Sequence, residues 1–262
     1  MGAADIDLSR LALYYGLLII PLAAMLWIRV PIVGKTLTAV VRMTLQLAFV
    51  GLYLQVVFKI DSPWLNSLWL LVMITVADLS IIRGCGLRLR RFLIPVFAAL
   101  VAGTAVPLLF FVGPLLSRPH LMEAQYVIPI GGMILGNCLR ADIIGIRNFY
   151  DSLRKGEKAF LLTLAQGARI KEAIMPYLRD ACEAALMPTI ATMATIGLVA
   201  LPGMMTGVIL GGTNPVTAIK YQMAIMVAIF TGTAITVILA IFMTIKTSFT
   251  PYGVLDSSCF KK

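Results

Sequence analysis

Four polar side chains interrupt long apolar stretches of this 262-residue chain: Gln46, Asp78, Asn137 and Gln222. A polar group inside a segment of membrane-spanning length is costly in lipid, so it commonly faces a solute pathway or the interior of a helix bundle. Gln46, Asn137 and Gln222 are therefore predicted to line a substrate path. Asn137 follows the glycine-rich segment 131–136, where helices can approach closely, so its amide could equally bridge two helices.

Two carboxylates lie near the ends of their apolar stretches. Asp78 is close in sequence to Arg83, and it is either an ion-paired or snorkelling side chain or a part of the pathway. Asp142 lies between Arg140 and Arg147 and is predicted to form an ion pair at the membrane interface.

Methionine is frequent, with 14 residues, and Met204 and Met205 follow the helix-breaking pair Pro202-Gly203. Thioethers suit soft metals better than they suit Fe(II), whereas a methionine stripe is also ordinary plastic packing. We place Met204 and Met205 on the predicted substrate path and assign no metal site. His120 is the only histidine, which excludes an iron site of several histidines within one chain.

A polar segment at about 147–180 has the composition of a helical cytosolic loop. Within it, two short helical patterns, at 159–164 and 168–175, meet at Gly167, and Pro176 is expected to kink or end the second. Such a protrusion could dock in a groove of a soluble ATPase, although a surface helix lying on lipid has the same pattern. The residues predicted to couple to an ATPase are Leu164, Gln166, Gly167, Ala168, Arg169 and Glu172.

Composition places these residues in a membrane protein. Hydrophobic residues make up 60% of the chain, charged residues 13%, and the mean hydropathy is +0.95. A soluble domain is about 45–50% apolar and about 25% charged. The net charge of +10 does not gather on one soluble element, so nucleic acid binding is not expected. The basic residues instead indicate cytosolic loops and contact with membrane lipid.

Apolar stretches long enough to cross roughly 30 Å of hydrocarbon predict about seven transmembrane helices in an all-α polytopic domain that spans residues 1–262. They lie at 11–28, 37–58, 64–82, 92–116, 126–146, 184–201 and 219–245. Pro202 and Gly203 are expected to end or unwind a helix, and the short apolar segment after them is predicted to be re-entrant or interfacial.

Sorting the 22 Lys and Arg residues by loop gives 18 on one side and 4 on the other. The positive-inside rule then places the N-terminus outside and the C-terminus in the cytosol. The four cysteines all fall on the cytosolic side, where thiols stay reduced.

Three segments resemble the FetB family of ABC transporter permeases. They are the block at 126–137, the Gln166-Gly167-Ala168 turn and the block at 197–207, and the likeness continues from Asn214 to Gln222. The resemblance implies a homodimeric inner-membrane permease that works with a separate FetA-like ATPase subunit. Bacterial members are associated with iron export and peroxide tolerance, and plant relatives with aluminium tolerance and UDP-glucose movement.

The sequence agrees that ATP hydrolysis belongs to another subunit, because the chain has no G-x-x-x-x-G-K-[ST] phosphate loop. We expect no cofactor in this chain, with ATP and Mg bound by the partner, and no enzymatic activity of its own. The sequence thus predicts an ATP-driven permease, with iron the expected cargo. The alternatives are a secondary transporter using Asp78 as proton carrier, a permease for another cargo such as a nucleotide sugar, and a non-transporting membrane scaffold or sensor.

Overall fold

In a computed structural model, residues 7–116, 122–199, 201–250 and 253–260 are described, and they form helices with two isolated bridges and no strand among them. The helices are α1 (Leu8–Tyr15), α2 (Ile19–Trp27), α3 (Val33–Ile60), α4 (Pro63–Gly84), α5 (Leu89–Phe110), α6 (Ala124–Lys155), α7 (Glu157–Ala165), α8 (Ile170–Thr195), α9 (Gly203–Leu210) and α10 (Pro215–Ser248). A 3₁₀ turn (Gly16–Leu18) joins α1 to α2, and a π-helical turn (Phe111–Leu115) extends α5.

Within the described residues, six helical segments are long and apolar enough to cross a membrane, which confirms the all-α polytopic fold. They are Leu8–Trp27, Val33–Ile60, Pro63–Gly84, Leu89–Leu115, Ala124–Lys155 and Pro215–Ser248. Each corresponds to a predicted stretch, with the ends shifted by at most four residues, except that Ala124–Lys155 continues nine residues beyond the predicted end at 146. The predicted outer loop at 117–120, with Ser117 and His120, lies outside the described residues.

The seventh predicted span, at 184–201, is not a separate helix. It is the second half of α8, which begins in the polar segment at Ile170 and continues through Pro176. Pro176 therefore does not end the helix, because the turns on either side of it are held by the buried residues Ala173, Ile174 and Leu178. The helix ends at Thr195, earlier than the predicted break at Pro202, and Gly197 follows with a φ of +87°. Pro202 instead precedes the first residue of α9.

The core forms where α4, α5, α6 and α10 pack together around large buried side chains such as Phe92 and Phe149. α5 and α10 cross at two glycines. A Cβ on Gly232 would lie 2.7 Å from the carbonyl oxygen of Gly103, so only glycine permits this approach. Many large apolar side chains on the outer surface stay exposed, as expected where lipid covers them.

The connecting segments gather at two ends of the bundle. At one end, which we call the basic end, the α4–α5 turn meets the C-terminal segment: the Arg88 amide donates to the Cys259 carbonyl at 3.0 Å. The guanidinium of Arg154 stacks 3.5 Å over the Phe260 ring at the same end. At the opposite end, the Asn66 amide donates to the Met122 carbonyl at 2.7 Å, and the Ala124 amide donates to Asp61 at 2.8 Å. These loops therefore lie at the same two ends of the bundle that the distribution of Lys and Arg predicts.

The first three helices stand apart from the core. The 18-residue apolar stretches within Leu8–Trp27 and Val33–Ile60 contain no buried residue. α3 contacts the core close to the opposite end, where Val57 is buried and the Tyr53 ring stacks on Trp69 with centroids 4.0 Å apart. The rest of α3 therefore has an exposed surface.

Candidate functional site

A cavity of about 900 Å³ lies between α6, the second half of α8, the start of α9 and α10. α6 contributes Met133, Asn137 and Arg140, and α10 contributes Gln222. The break between α8 and α9 closes one side, because Ile196, Pro202 and Gly203 also line the cavity. The two ends of the irregular segment, Ile196 and Pro202, thus lie against the cavity, whereas Leu198 and Val199 between them are exposed.

The cavity brings together three of the five predicted path residues, Asn137, Met204 and Gln222. Met205 is buried beside its neighbour, and the cavity lining does not include it. Gln46 lies on the exposed face of α3, in a shallow surface cleft with Lys35 and Arg42. The role of all five residues as a substrate path stays a prediction.

The polar groups of the cavity include two amides. Gln222 is 8% exposed, and its Oε1 has no hydrogen-bond partner among the described residues. The Asn137 Nδ2 donates to the Met133 carbonyl at 2.8 Å, a bond within its own helix that bridges no second helix. Both amides therefore keep hydrogen-bonding capacity for a ligand.

Among the described residues that line the cavity, Arg140 is the one with a charge. The described lining residues include no histidine, cysteine or carboxylate, and the described part of the chain has no group of three such residues that could hold a metal ion. Sulfur is present, because Met133, Met204 and Met226 line the walls. The cavity wall therefore combines apolar side chains with two amides and one positive charge.

The predicted coupling residues form a compact turn at the basic end. α7 ends at Ala165, Gly167 has a φ of +94°, and α8 starts at Ile170, so the predicted glycine pivot is where the chain reverses. The Arg169 amide donates to a Glu172 carboxylate oxygen at 2.9 Å and so satisfies a free N–H before the helix. Gln166, Gly167, Arg169 and Glu172 are exposed, whereas Leu164 and Ala168 are half-buried. Coupling to an ATPase stays a prediction for all six.

The C-terminal segment, residues 253–260, packs against this turn. Gly253 packs so closely that a Cβ there would lie 3.2 Å from Leu164 and 3.4 Å from Ile170. Asp256 anchors the segment, because Arg91 pairs with its carboxylate at 2.6 Å. Hydrogen bonds from Ser258 and then from Arg91 lower the pKa of Asp256 to about 2. Sequence reasoning missed this support, because the segment carries no pattern that points to the turn.

A model described as "Uncharacterised protein family (UPF0014)" matches residues 8–249, a range that contains both the cavity and the coupling turn. The chain belongs to the UPF0014 family. The match ends before Asp256, so the anchor of the C-terminal segment lies outside it.

Curated relatives of this UPF0014 chain are similar over most of their length. The UPF0014 membrane protein slr1647 of Synechocystis is 33% identical over 85% of this chain and 86% of its own. The Probable iron export permease protein FetB of Escherichia coli is 32% identical over 80% of each chain. The UPF0014 membrane protein STAR2 of rice, Oryza sativa, is 30% identical over 88% of this chain and 80% of its own. No solved structure matches.

Two carboxylates of the UPF0014 chain lie where sequence reasoning did not put them. Asp78 and Asp142 are fully buried, and neither forms an ion pair, because the ion pair found among the described residues joins Arg91 and Asp256. The predicted ion pair of Asp142 at the interface is therefore wrong. The interpretation of Asp78 as an ion-paired or snorkelling side chain is wrong as well. Asp142 turns inward because its face of α6 packs in the core with Cys138 and Ile146.

The surroundings of these carboxylates offer few hydrogen-bond donors. Thr236 of α10 lies beside Asp142, but its hydroxyl donates to the Thr233 carbonyl at 3.1 Å. Neither carboxylate has a hydrogen-bond partner among the described residues. A buried, unpaired carboxyl is expensive, so groups of this kind commonly have a functional reason to persist.

Proposed function

We propose that this chain is the membrane-spanning permease subunit of an ATP-driven exporter whose cargo contains iron. The observation that carries the proposal is the 32% identity to a protein named a probable iron export permease, over 80% of both chains. The cavity between α6, α8 and α10 supports it, because a transporter needs a ligand-sized space with polar groups at membrane depth.

ATP hydrolysis is assigned to a FetA-like partner subunit that docks on the turn around Gly167. The turn suits a docking element because it is exposed, its backbone geometry is fixed by Gly167, and the C-terminal segment supports it. Docking requires the basic end to face the cytosol. The 18 to 4 distribution of Lys and Arg favours that orientation, with the N-terminus outside.

A homodimer is supported by the polar face of α3. Four side chains three or four residues apart form one exposed stripe: Lys35, Thr38, Arg42 and Gln46. α1 lies against a different face, because Tyr15 shares a hydrogen bond of 2.8 Å with Thr44. A spanning helix turns such a stripe toward protein or water. A second copy of the chain would cover it.

In this account ATP binding to the partner moves the coupling turn, and α8 transmits the movement to the cavity. α8 suits this role because it runs without interruption from Ile170, beside the turn, to Thr195 at the cavity wall. The break between Thr195 and Gly203 then allows the outer side to open while the core helices stay packed.

One observation favours a second candidate, a transporter driven by a proton gradient. Asp78 and Asp142 are buried without partners, as expected of carboxyls that take up and release protons in a membrane.

Cellular metal content tests the proposal. Cells with and without the gene are compared under iron excess and under peroxide, and whole-cell iron is measured by mass spectrometry. The account expects iron to accumulate in cells that lack the gene. Equal iron in both strains under both stresses would contradict it, whereas collapse of export by a proton uncoupler at constant ATP would favour the second candidate.

A further inference from the structure

The composition of the cavity wall carries an inference about the chemical form of the cargo. We propose that the cavity binds a hydroxylated oxyanion, a carboxylate- or phosphate-bearing molecule, so that a metal passes through it as an anionic complex and not as a bare cation. This inference rests on the proposed function, because it assumes that cargo occupies the cavity.

The charge of the lining argues against a bare metal cation. Divalent iron prefers imidazole and oxygen ligands, usually with at least one carboxylate among them. The lining has neither histidine nor carboxylate, and its one charged side chain, Arg140, is positive. A guanidinium in the wall repels a bare cation that approaches it.

Arg140 has the chemistry of an oxyanion ligand. Its guanidinium takes part in none of the ion pairs of the described residues. A planar fork of N–H donors binds a carboxylate or a phosphate through two parallel hydrogen bonds. Arg140 is exposed and lines the cavity, so its donors are accessible to an anion that enters.

The two amides point to hydroxyl groups on the same ligand. Gln222 is nearly fully buried in the wall, with an Oε1 that lacks a donor. The Asn137 Nδ2 is already bonded to the Met133 carbonyl, which leaves its oxygen as an acceptor. Two amide oxygens beside one arginine suit a ligand that accepts from the arginine and donates hydroxyl hydrogens to the amides.

The size of the cavity agrees with a molecule and not with an ion. A space of about 900 Å³ lies at the upper end of the range typical of organic ligands, about 300–1,000 Å³. A single ion in so large a space would keep its water and touch few walls. The three cavity methionines could hold a soft cation instead, and the experiment includes that case.

Ligand binding to the full-length chain in lipid nanodiscs tests the inference. The probes are radiolabelled citrate, radiolabelled pyrophosphate, ⁵⁵Fe(III)–citrate, ⁵⁵Fe(II) without chelator, and Cu(I). The variant Arg140→Gln removes the charge. Its matched control is Arg147→Gln, two turns further along α6, exposed and outside the cavity lining.

We expect citrate or the iron complex to bind, and pyrophosphate, which has no alcohol hydroxyl for the amides, to bind more weakly. Arg140→Gln should weaken the binding at least about tenfold while Arg147→Gln does not. Binding of the iron complex supports passage of the metal as an anionic complex, whereas binding of citrate without any binding of the iron complex would overturn that part of the inference. Gln222→Leu is the second variant, for the case that Arg140→Gln lowers the yield of folded protein. It should weaken the binding of the same probe.

Tight binding of unchelated Fe(II) or of Cu(I) that does not depend on Arg140 would overturn the inference. So would anion binding that is unchanged in both Arg140→Gln and Gln222→Leu. ATP-driven export of unchelated Fe(II) would support the proposed function and contradict this inference. Anion binding without any ATP-driven iron transport would support anion binding in the cavity and contradict the proposed function.

Discussion

Asn137 and Met204 face the same cavity from different helices, and each offers a cargo a different kind of contact. The amide of Asn137 bonds only within α6, so it adds little to the packing of one helix on another. The thioether of Met204 is half-buried, which leaves it accessible from the cavity.

At the residue scale, the first prediction separates cargo contact from packing. Met204→Leu conserves volume and should cost less than about 1.5 kcal/mol of stability. Asn137→Ala should cost less than about 1 kcal/mol, because it removes no bond between helices. Both variants should lower transport in vesicles while their melting temperatures stay near that of the unmodified protein.

Met223→Leu is the matched control for this pair, because Met223 follows Gln222 in the chain but is exposed and outside the cavity lining. Its transport should be unchanged. Full transport by both Met204→Leu and Asn137→Ala would remove these residues from the cargo path.

At the element scale, the crossing of α5 and α10 depends on glycine. A Cβ on Gly103 would collide with the Thr236 side chain and lie 2.8 Å from the Gly232 carbonyl oxygen, so the two helices would have to separate. Gly103→Ala should therefore lower the free energy of unfolding by about 1–3 kcal/mol.

Gly136→Ala controls for the change of residue type, because a Cβ on Gly136 of α6 would meet nothing within 4 Å. Urea or thermal unfolding in detergent measures both variants. Equal stability of the two would show that the close crossing is not required.

The coupling turn carries the third prediction. Gly167 has a φ of +94°, which a β-branched residue adopts only with strain, and no atom near its Cα blocks a side chain. Gly167→Val should leave the protein folded and dimeric but abolish its stimulation of the partner's ATPase activity.

Gly86→Val is the control for the third prediction, since Gly86 has a φ of +66°, also faces open space and lies in another turn at the basic end. It should retain coupling. Normal ATPase stimulation by Gly167→Val would remove this turn as the coupling element.

Much of this element-level arrangement was predictable from sequence, and the exceptions have a physical cause. Spans and the glycine pivot follow from local patterns, because hydropathy and backbone preference depend on neighbouring residues. Asp142 and Pro176 were misjudged because burial against other helices decided both outcomes. Gln46 likewise lies away from the cavity because most of α3 does not contact the core, and no local sequence pattern predicts how a helix packs.

At the scale of the whole molecule, orientation in the membrane is the property on which the coupling proposal depends. The native cysteines cannot report it. Burial raises the pKa of the Cys85 thiol to about 12, and Cys259 is buried, so neither thiol reacts readily from either side of the membrane.

The fourth prediction therefore uses a chain whose native cysteines are replaced by alanine. In intact cells, an impermeant maleimide should label Ser62→Cys, at the opposite end, and should label Lys158→Cys, exposed at the basic end, only after permeabilisation. The reverse pattern would place the coupling turn outside the cell.

ATP-driven iron movement in inside-out vesicles tests the central claim most directly. The vesicles contain this chain and the ATPase subunit, and ⁵⁵Fe is supplied outside them, both as the ferrous ion and as its citrate complex. The account predicts accumulation of ⁵⁵Fe inside the vesicles with ATP, none with a non-hydrolysable analogue and none with Gly167→Val. Accumulation that needs a proton gradient but no ATP, or no accumulation from iron in any form, would contradict it.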